Sequence, residues 1–323
     1  MIPIEKLKQV RTIVTHKDCP DGIASAILLH DALPNAEVKF LTHGEKAYAE
    51  LPAKDWMLFC DIAPPQPRAH EFLPRVPIVL DHHKGAEHLV KSFTHHVFAD
   101  EKLEPGVSGA VLAFREVWEP LRKQNLPHVH DHRFHRAKGF AEMAGIRDTW
   151  QSDHMLFGLS SEQAEALRFW PVEQWLGIVD PFDGTDMANM LNIGRALWAK
   201  KLDAAQRAIG KAWRVSTSSS KPIRCVIFEG THLTSDAAEI IGEEADLIIG
   251  FGFSVEENWH QLHVSMRSHT DVNCFALAKT FGGGGHTKAA GYTTKFLFEE
   301  AMNPYNEVLA HVYCGERNSL LRP

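Results

Sequence analysis

The sequence predicts an α/β protein with a doubly wound, mainly parallel sheet in its N-terminal domain and a smaller C-terminal α/β domain. Three observations support this fold class. Short apolar segments alternate with helical or loop segments early in the chain, as in a parallel sheet with crossover helices. Several of these segments run directly into Asp or His, and ligands of such sheets bind beyond the carboxyl ends of the strands. After a polar, proline-containing stretch at 216–222, strand-like segments return.

The N-terminal part is expected to begin with a strand, an acidic turn and a helix. The strand covers 11–16, and the helix at 23–33 follows the turn HKDCPDG. Further strands are expected at 38–41, 56–60 and 77–80, because each segment is short, apolar and bounded by polar or turn residues.

A helical region is expected next. Its helices are predicted at 107–122, 134–146, 161–179 and 189–213 from composition and capping patterns. The Ser-rich stretch 216–222 ends with a proline and is the best linker candidate.

This linker separates an N-terminal domain at 1–215 from a C-terminal domain at 223–323. In the second domain we expect strands at 223–228, 247–253 and 261–267, a helix at 274–280, and a strand that opens at Ala289.

Length and composition are those of a soluble, two-domain protein. The 323 residues are 44% hydrophobic and 23% charged, with a formal net charge of −7. This balance argues against a broad basic surface for long nucleic acid, but not against a small anion held by metal ions. The five cysteines form no CxxC pair, and no signal-like or membrane-length apolar stretch is present, so we expect a cytoplasmic protein with no membrane partner.

The stretch Val79-Leu80-Asp81-His82-His83 carries the clearest chemical signal, because a buried strand that ends in a carboxylate and two imidazoles suits a divalent metal. Other strand ends and loops add further candidates. The predicted metal ligands are His16, Asp18, Asp21, Asp61, His82 and Asp148. Asp61 stands alone at the end of its strand and is the natural bridge of a two-metal site. Carboxylates combined with imidazoles favour Mn²⁺, with Mg²⁺ or Co²⁺ able to substitute.

A second histidine-rich stretch comprises His128, His130, His132 and His135 with Asp131. It lacks an apolar framework, so we expect a solvated loop or the start of a helix there.

Taken together, these motifs resemble the DHH phosphoesterase superfamily. Its motifs I to IV are similar to His16-x-Asp18-x-x-Asp21-Gly22, the lone Asp61, Asp81-His82-His83 and Asp148-Thr149. Three C-terminal motifs resemble the DHHA1 substrate-binding domain. They are Met266-Arg267-Ser268, Gly282-Gly283-Gly284-Gly285-His286 and Ala289-Ala290-Gly291. The resemblance covers nearly the whole chain in order. One departure lies in motif I, where Cys19 and Pro20 separate the two aspartates, so the metal that each aspartate serves stays open.

The resemblance implies two bound Mn²⁺ ions. One would be held by His16, Asp18 and Asp61, and the other by Asp21, Asp61, His82 and Asp148. Asp81 is expected to orient an imidazole, and His83 to face the phosphoryl oxygens or support the leaving group.

The C-terminal motifs supply the expected substrate-binding residues. Gly283, Gly284 and Gly285 let backbone N–H groups approach an anion, while His286 and Arg267 can bind phosphate, ribose or base. A flexible loop and a surface cation are the simpler interpretations of these features.

The resulting hypothesis is a Mn²⁺-dependent phosphodiesterase that hydrolyses short oligonucleotides or linear dinucleotides (nanoRNA, pGpG or pApA) to 5′-mononucleotides. Its partner would be a short RNA or dinucleotide, without long nucleic acid, and a homodimer is left open. The alternatives are a single-strand exonuclease or cyclic-dinucleotide phosphodiesterase of the same superfamily, or a non-catalytic nucleotide-binding sensor.

Overall fold

The computed structural model describes residues 2–296 apart from 18, 43–44, 101, 126–131, 170, 172–174, 179, 181, 218–220 and 257–258. Residue packing divides the chain into two compact units, Met1–Trp198 and Ala199–Pro323.

The first unit is built on a sheet with five parallel strands in the described part of the chain. These are β1 (Thr12–His16), β2 (Glu37–Leu41), β3 (Met57–Cys60), β4 (Ile78–Asp81) and β5 (His95–Phe98). Their spatial order is β2-β1-β3-β4-β5. The chain places β2 on one side of β1 and β3 on the other, so β1 and β3 flank the switch point at which ligands of such sheets bind.

Helices surround this sheet. They are α1 (Ile4–Leu7), α2 (Pro20–Ala32), α3 (Lys46–Ala49), α4 (Ala69–Phe72), α5 (Glu87–Val90), α6 (Gly109–Ala113), α7 (Glu119–Asn125), α8 (His132–Asp148), α9 (Phe157–Phe169), α10 (Trp175–Ile178) and α11 (Gly184–Ile209). A π-helical segment, Phe114–Trp118, joins α6 to α7. The division between the two units falls within α11.

Both faces of the sheet are covered, as a doubly wound fold requires. Along β3, Leu58 packs into one hydrophobic core with Leu28 of α2, whereas Phe59 packs into the opposite core with Phe72 of α4. Successive side chains of a strand point to opposite faces, so an uninterrupted apolar run fits a strand buried on both sides. Full burial stabilises each such side chain by about 1.5–3 kcal/mol.

The second unit contains a mixed sheet with six strands among the described residues. These are β6 (Trp213–Ser216), β7 (Arg224–Glu229), β8 (Leu247–Glu256), β9 (Trp259–Arg267), β10 (Gly284–Gly285) and β11 (Ala289–Phe296). Their order is β10-β11-β9-β8-β7-β6, and only the β7–β8 pair is parallel. Helices α12 (Thr234–Ile241) and α13 (Cys274–Thr280) pack against this sheet.

The predicted fold class is confirmed, with some differences at single elements. The first four predicted strands nearly coincide with β1 to β4. The helix predicted at 189–213 ends at Ile209, and β6 begins at Trp213. The segment predicted as one helix at 161–179 contains α9 and α10 as separate helices.

The stretch predicted as a linker, 216–222, begins at the last residue of β6 and leads to β7, its antiparallel neighbour. It therefore connects two strands of one sheet, and the domain limits 1–215 and 223–323 stay a prediction.

Candidate metal centre

Three carboxylates of the first unit converge on one imidazole nitrogen. His82 Nε2 lies 3.2 Å from Asp61 Oδ1, 3.5 Å from Asp148 Oδ2 and 3.8 Å from Asp21 Oδ2. The four side chains come from the ends of β3 and β4, the first turn of α2 and the last residue of α8. An imidazolium carries one positive charge, so this group retains an excess of negative charge that a divalent cation would balance.

Asp61 reaches this position through an unusual backbone conformation. It follows β3 directly and has a φ of +63°, a left-handed conformation that Asp tolerates better than most residues. Its backbone N–H donates to the Leu80 carbonyl at 3.1 Å, which keeps it beside β4. The sharp turn therefore places the carboxylate at the end of the sheet, next to the switch point.

Asp21 is held by the N-terminus of α6. Its Oδ1 accepts hydrogen bonds from the Ser108 hydroxyl at 2.6 Å and the Ala110 N–H at 3.0 Å, and its Oδ2 accepts one from the Gly109 N–H at 2.7 Å. A Cβ on Gly109 would lie 2.5 Å from the Asp61 Cβ, so glycine permits this close approach. The sequence predicted Ser108 near a helix start, but these long-range contacts to Asp21 carried no local signal.

Burial and like charges disfavour ionisation in this cluster. Burial, followed by the charge of Asp148, raises the pKa of Asp21, and burial, followed by the charge of Asp21, raises the pKa of Asp61 well above its ordinary range. Asp61 Oδ2 is buried and accepts no hydrogen bond from the described residues. A buried acceptor without a donor, among carboxylates and imidazoles, is what a bound divalent cation would satisfy, so the residues present fit a metal ion.

Asp81 and His83 form a separate pair beside this cluster. Asp81 Oδ1 accepts hydrogen bonds from the backbone N–H groups of His82 at 2.8 Å and His83 at 3.0 Å, and lies 2.8 Å from His83 Nδ1. Burial opposes ionisation of Asp81, but the charge of His83 and these hydrogen bonds lower its pKa to about 2. Burial lowers the pKa of His83, but the charge of Asp81, its hydrogen bond to the ring and the charge of Asp61 together outweigh burial, so the net shift is upward. The pair fixes the orientation of the His83 ring, whose side chain is 32% exposed.

A second group of possible ligand atoms also includes Asp61. The atoms of His16, Cys19 and Asp61 lie within 4.8 Å of one another, as do those of Asp21, Asp61 and His82. Asp61 belongs to both groups. From the sequence, Cys19 is expected only to separate the two aspartates of motif I, although its position between a histidine and an aspartate at a strand end was a usable signal. Burial, followed by the charge of Asp61, raises the pKa of the Cys19 thiol well above its ordinary range.

The structure therefore brings together most of the predicted metal ligands. Those found at the cluster are His16, Asp21, Asp61, His82 and Asp148. Their assignment to individual ions stays a prediction, and Asp18 lies outside the described residues. From the histidine-rich stretch, His128, His130 and Asp131 also lie outside them, whereas His132 and His135 lie at the start of α8.

Arg267, predicted to bind substrate, is the last residue of β9 in the second unit. Its Nε donates to Ser235 Oγ at 3.1 Å, and its Nη1 donates to the Met266 carbonyl at 2.8 Å and to Ser265 Oγ at 3.3 Å. These contacts hold the guanidinium along the strand end, so its position is better defined than that of an ordinary surface cation.

In the glycine run of the second unit, the backbone conformation and close backbone contacts require glycine at several positions. Gly282 and Gly285 have φ values of +76° and +131°, and a Cβ on Gly283 would lie 2.2 Å from the Gly291 carbonyl oxygen. Gly284 pairs with Gly291 between β10 and β11, and the His286 N–H donates to the Ala289 carbonyl at 2.7 Å. The run is therefore a defined turn and short strand, and its predicted role in anion binding stays a prediction.

No protein-family model matches the sequence. Solved structures share its fold. One is a DHH domain described as belonging to a family of ribosomal proteins, with a TM-score of 0.56, 13% identity, and coverage of 96% of this chain and 87% of the other. Another is the exonuclease RecJ bound to manganese, with a TM-score of 0.53, 17% identity, and coverage of 96% and 91%. RecJ from Thermus thermophilus in complex with Mn²⁺ gives 0.54 and 17%, covering 97% of this chain and 53% of RecJ.

The fold and the site define an α/β protein with an acidic, histidine-containing centre at the carboxyl ends of a parallel sheet. Its fold is that of the DHH-domain proteins, which confirms the resemblance of the motifs at the level of fold. Among the described residues, no helix combines the length and the apolar character that crossing a bilayer requires.

Proposed function

We propose that this chain is a metal-dependent phosphodiesterase that hydrolyses short oligonucleotides or linear dinucleotides to 5′-mononucleotides, with Mn²⁺ as its cofactor. The observation that carries this proposal is the position of Asp61, whose carboxylate belongs to two groups of ligand atoms at once. Two cations that share a carboxylate are the arrangement that phosphoryl-transfer enzymes use. The RecJ structures of similar fold, which contain manganese, support the same choice of chemistry and metal.

When bound, a pair of divalent cations would neutralise charge on the phosphoryl group and make water a better nucleophile. The side chains of this chain supply the fixed geometry. The N-terminus of α6 holds Asp21, and the turn after β3 holds Asp61, so neither carboxylate needs to reorganise during the reaction.

His83 is the candidate proton donor. Asp81 accepts the hydrogen bond at Nδ1 and raises the pKa of the ring. The protonated ring can therefore donate from Nε2 to a phosphoryl oxygen or to the leaving oxygen. Its partial exposure is consistent with contact to substrate.

The overall charge favours a small substrate. At a net charge of −7, the affinity for a polyanion gained through many phosphate contacts would be weak, whereas a substrate with one or two phosphates needs few such contacts. The fold shared with RecJ makes an exonuclease for longer single strands the second candidate.

A length series of 5′-phosphorylated RNA oligomers, from dinucleotides upward, tests this proposal. With Mn²⁺ we expect the highest kcat/KM for the shortest members, 5′-mononucleotides as products, and no turnover after chelation. A rate that rises with length would support the exonuclease. An absence of turnover for every linear substrate, with metal bound, would contradict both.

The substrate-binding role is tested by Arg267→Ala. A hydrogen bond to a charged group contributes about 1.5–3 kcal/mol, so KM for a dinucleotide should rise by about ten- to a hundredfold. Arg214→Ala is the matched control, because Arg214 is exposed and lies 3.6 Å from Glu244. Equal KM values for the two variants would show that Arg267 does not bind substrate.

A further inference from the structure

We propose that Cys19 is a ligand of one of the two cations, together with His16 and Asp61, and that this position prefers a thiophilic cation such as Zn²⁺, Co²⁺ or Fe²⁺ over Mn²⁺. The inference rests on the metal centre of the proposed function and specifies it further, because it makes the two cation positions chemically different.

The geometry supports a shared ion at this position. The possible ligand atoms of His16, Cys19 and Asp61 lie within 4.8 Å of one another. Zinc binds sulfur at about 2.3 Å and imidazole nitrogen at about 2.0–2.1 Å, so two ligand atoms of one ion lie about 3–4 Å apart. Small side-chain rotations therefore suffice for all three to reach one cation.

An independent observation points to a ligand at the same place. Asp61 is only 1% exposed, and its Oδ2 accepts no hydrogen bond from the described residues. This oxygen lies 3.9 Å from His16 Nδ1, so it faces the group that contains the thiol. A cation bound there would satisfy the buried oxygen and join the sulfur to the carboxylate.

The position of Cys19 in the chain fixes the sulfur near this oxygen. Cys19 is the N-cap residue of α2 and has an extended backbone, with φ −103° and ψ 127°. Its carbonyl accepts the first helical hydrogen bond, from the Ile23 N–H at 2.9 Å, and Pro20 follows as the first helical residue. The thiol is therefore carried by a rigid helix start that also carries Asp21.

The two ligand groups differ in softness. The group of Asp21, Asp61 and His82 offers oxygen and nitrogen atoms, which Mn²⁺ accepts readily, whereas the group with Cys19 adds a thiolate, which favours Zn²⁺, Co²⁺ and Fe²⁺. On binding, the S–H bond of Cys19 breaks, its proton passes to the buffer, and a sulfur–metal bond forms without any oxidant or reductant. A centre with two different metals follows.

Cobalt spectroscopy on the full chain tests this assignment. The wild-type protein is saturated with Co²⁺, the number of bound ions is measured by equilibrium dialysis, and the near-ultraviolet thiolate-to-Co²⁺ charge-transfer absorption is recorded. We expect this absorption in the wild type and its loss in Cys19→Ser. Cys60→Ala is the matched control, because the buried Cys60 thiol precedes Asp61 and donates to the Gly109 carbonyl at 3.3 Å. That variant should keep the absorption. Because Cys19 would be a direct ligand, Zn²⁺ affinity should fall in Cys19→Ser by at least the roughly ten- to hundredfold that loss of an outer-shell partner costs, while Mn²⁺ affinity stays the same.

A second measurement uses the wild type alone, in case Cys19→Ser does not fold. The rate at which iodoacetamide alkylates Cys19, followed by mass spectrometry of the peptide, should fall at least tenfold when Zn²⁺ is added. Equal rates with and without Zn²⁺ would overturn the assignment, and so would Co²⁺ binding without charge-transfer absorption. In either case the proposed function would stand. A wild-type protein that binds no Co²⁺ and no Mn²⁺ would overturn both.

Discussion

The two ends of α2 carry the same side chain in opposite electrostatic surroundings. Asp21 lies in its first turn among other carboxylates, and its pKa is raised. Asp31 lies in its last turn and accepts hydrogen bonds from Trp118 Nε1 at 2.7 Å, Arg122 Nη2 at 2.6 Å and Arg133 Nη2 at 2.5 Å. Burial opposes ionisation of Asp31, but these partners, Arg122 foremost, lower its pKa.

The helix dipole would produce the reverse pattern. A carboxylate is stabilised at a helix N-terminus and destabilised at a C-terminus, by about 0.3–1 kcal/mol. At Asp21 and Asp31 the pKa shifts have the opposite signs, so burial and neighbouring charges outweigh the dipole. At the C-terminal end of α2, arginine side chains balance the charge of Asp31. At the N-terminal end, the carboxylates around Asp21 leave a surplus of negative charge. A surplus that is buried and costly for folding indicates a site that a cation completes.

The largest expected effect is that of Asp61→Asn in the carboxylate cluster around Asp21. Since Asp61 contributes to both ligand groups, its loss should lower the Mn²⁺-dependent hydrolysis rate by about a thousandfold or more, which corresponds to about 4 kcal/mol. The same change removes a buried charge, so the thermal stability of the metal-free protein should rise. Enzyme kinetics and thermal unfolding of the metal-free protein check the two parts.

The combination of these two signs separates a functional role from misfolding, because a misfolded variant would lose stability together with activity. Asp31→Asn serves as the control and should keep hydrolysis near the wild-type rate. If Asp61→Asn retained turnover within tenfold of the wild type, the metal centre would be misplaced.

At the C-terminal end of α2, Asp31→Asn should lower the free energy of unfolding by about 1–3 kcal/mol, the range for charge-assisted hydrogen bonds at a partly exposed site. Because the pKa of Asp31 is lowered on folding, its stabilisation is present above the unfolded pKa, near 3.9, and is lost as pH falls through the folded value. The difference between variant and wild type in urea unfolding should therefore shrink between pH 7 and strongly acidic pH. A difference that stays constant would show that the charge of Asp31 contributes nothing.

This contrast also marks what the sequence can predict. The strands β1 to β4 were predictable because each is a short apolar run whose character is local, and acids at successive strand ends must meet when the strands are parallel. Asp61 and His82 lie together for this reason. The support of Asp21 by Ser108 and Gly109 was not predictable, because these residues are 87 and 88 positions apart from it in sequence.

Other features that depend on tertiary context also lacked a local sequence signal. The strand β5 begins with two histidines and contains only two apolar residues, so it joins the sheet through its pairing with β4 rather than through a local pattern. The separate roles of Asp81 and His83 were expected only from the family resemblance, because the residues alone do not distinguish them. In the structure His82 contacts the carboxylate cluster, while Asp81 pairs with His83.

The Asp81–His83 pair gives a third, smaller effect. Asp81→Asn should lower kcat by about ten- to a hundredfold, the usual cost of removing an outer partner that orients a functional imidazole. Because Asp81 raises the pKa of His83, its loss should move that pKa down. If protonated His83 is the proton donor, activity declines as pH rises through this pKa, so the alkaline limb of the kcat profile should shift to lower pH in the variant. A lower kcat with an unshifted profile would mean that Asp81 has only a structural role.

The smallest expected effect concerns the metal-free protein and its pH dependence. The pKa values of Asp21 and Asp61 are raised on folding, so the folded state binds more protons than the unfolded state above the ordinary Asp pKa of about 3.9. Stability must then fall as pH rises from there through the raised values. Each pKa unit corresponds to about 1.4 kcal/mol, and 1 kcal/mol shifts Tm by about 2–4 °C for a domain of 150–250 residues. Thermal unfolding in chelator should show this decline, Asp61→Asn should weaken it, and added Mn²⁺ should reverse it because a cation favours the ionised carboxylates. A metal-free Tm that rises over the same pH interval would contradict this. It would mean that positive groups balance the charges of Asp21 and Asp61, as the arginines balance that of Asp31.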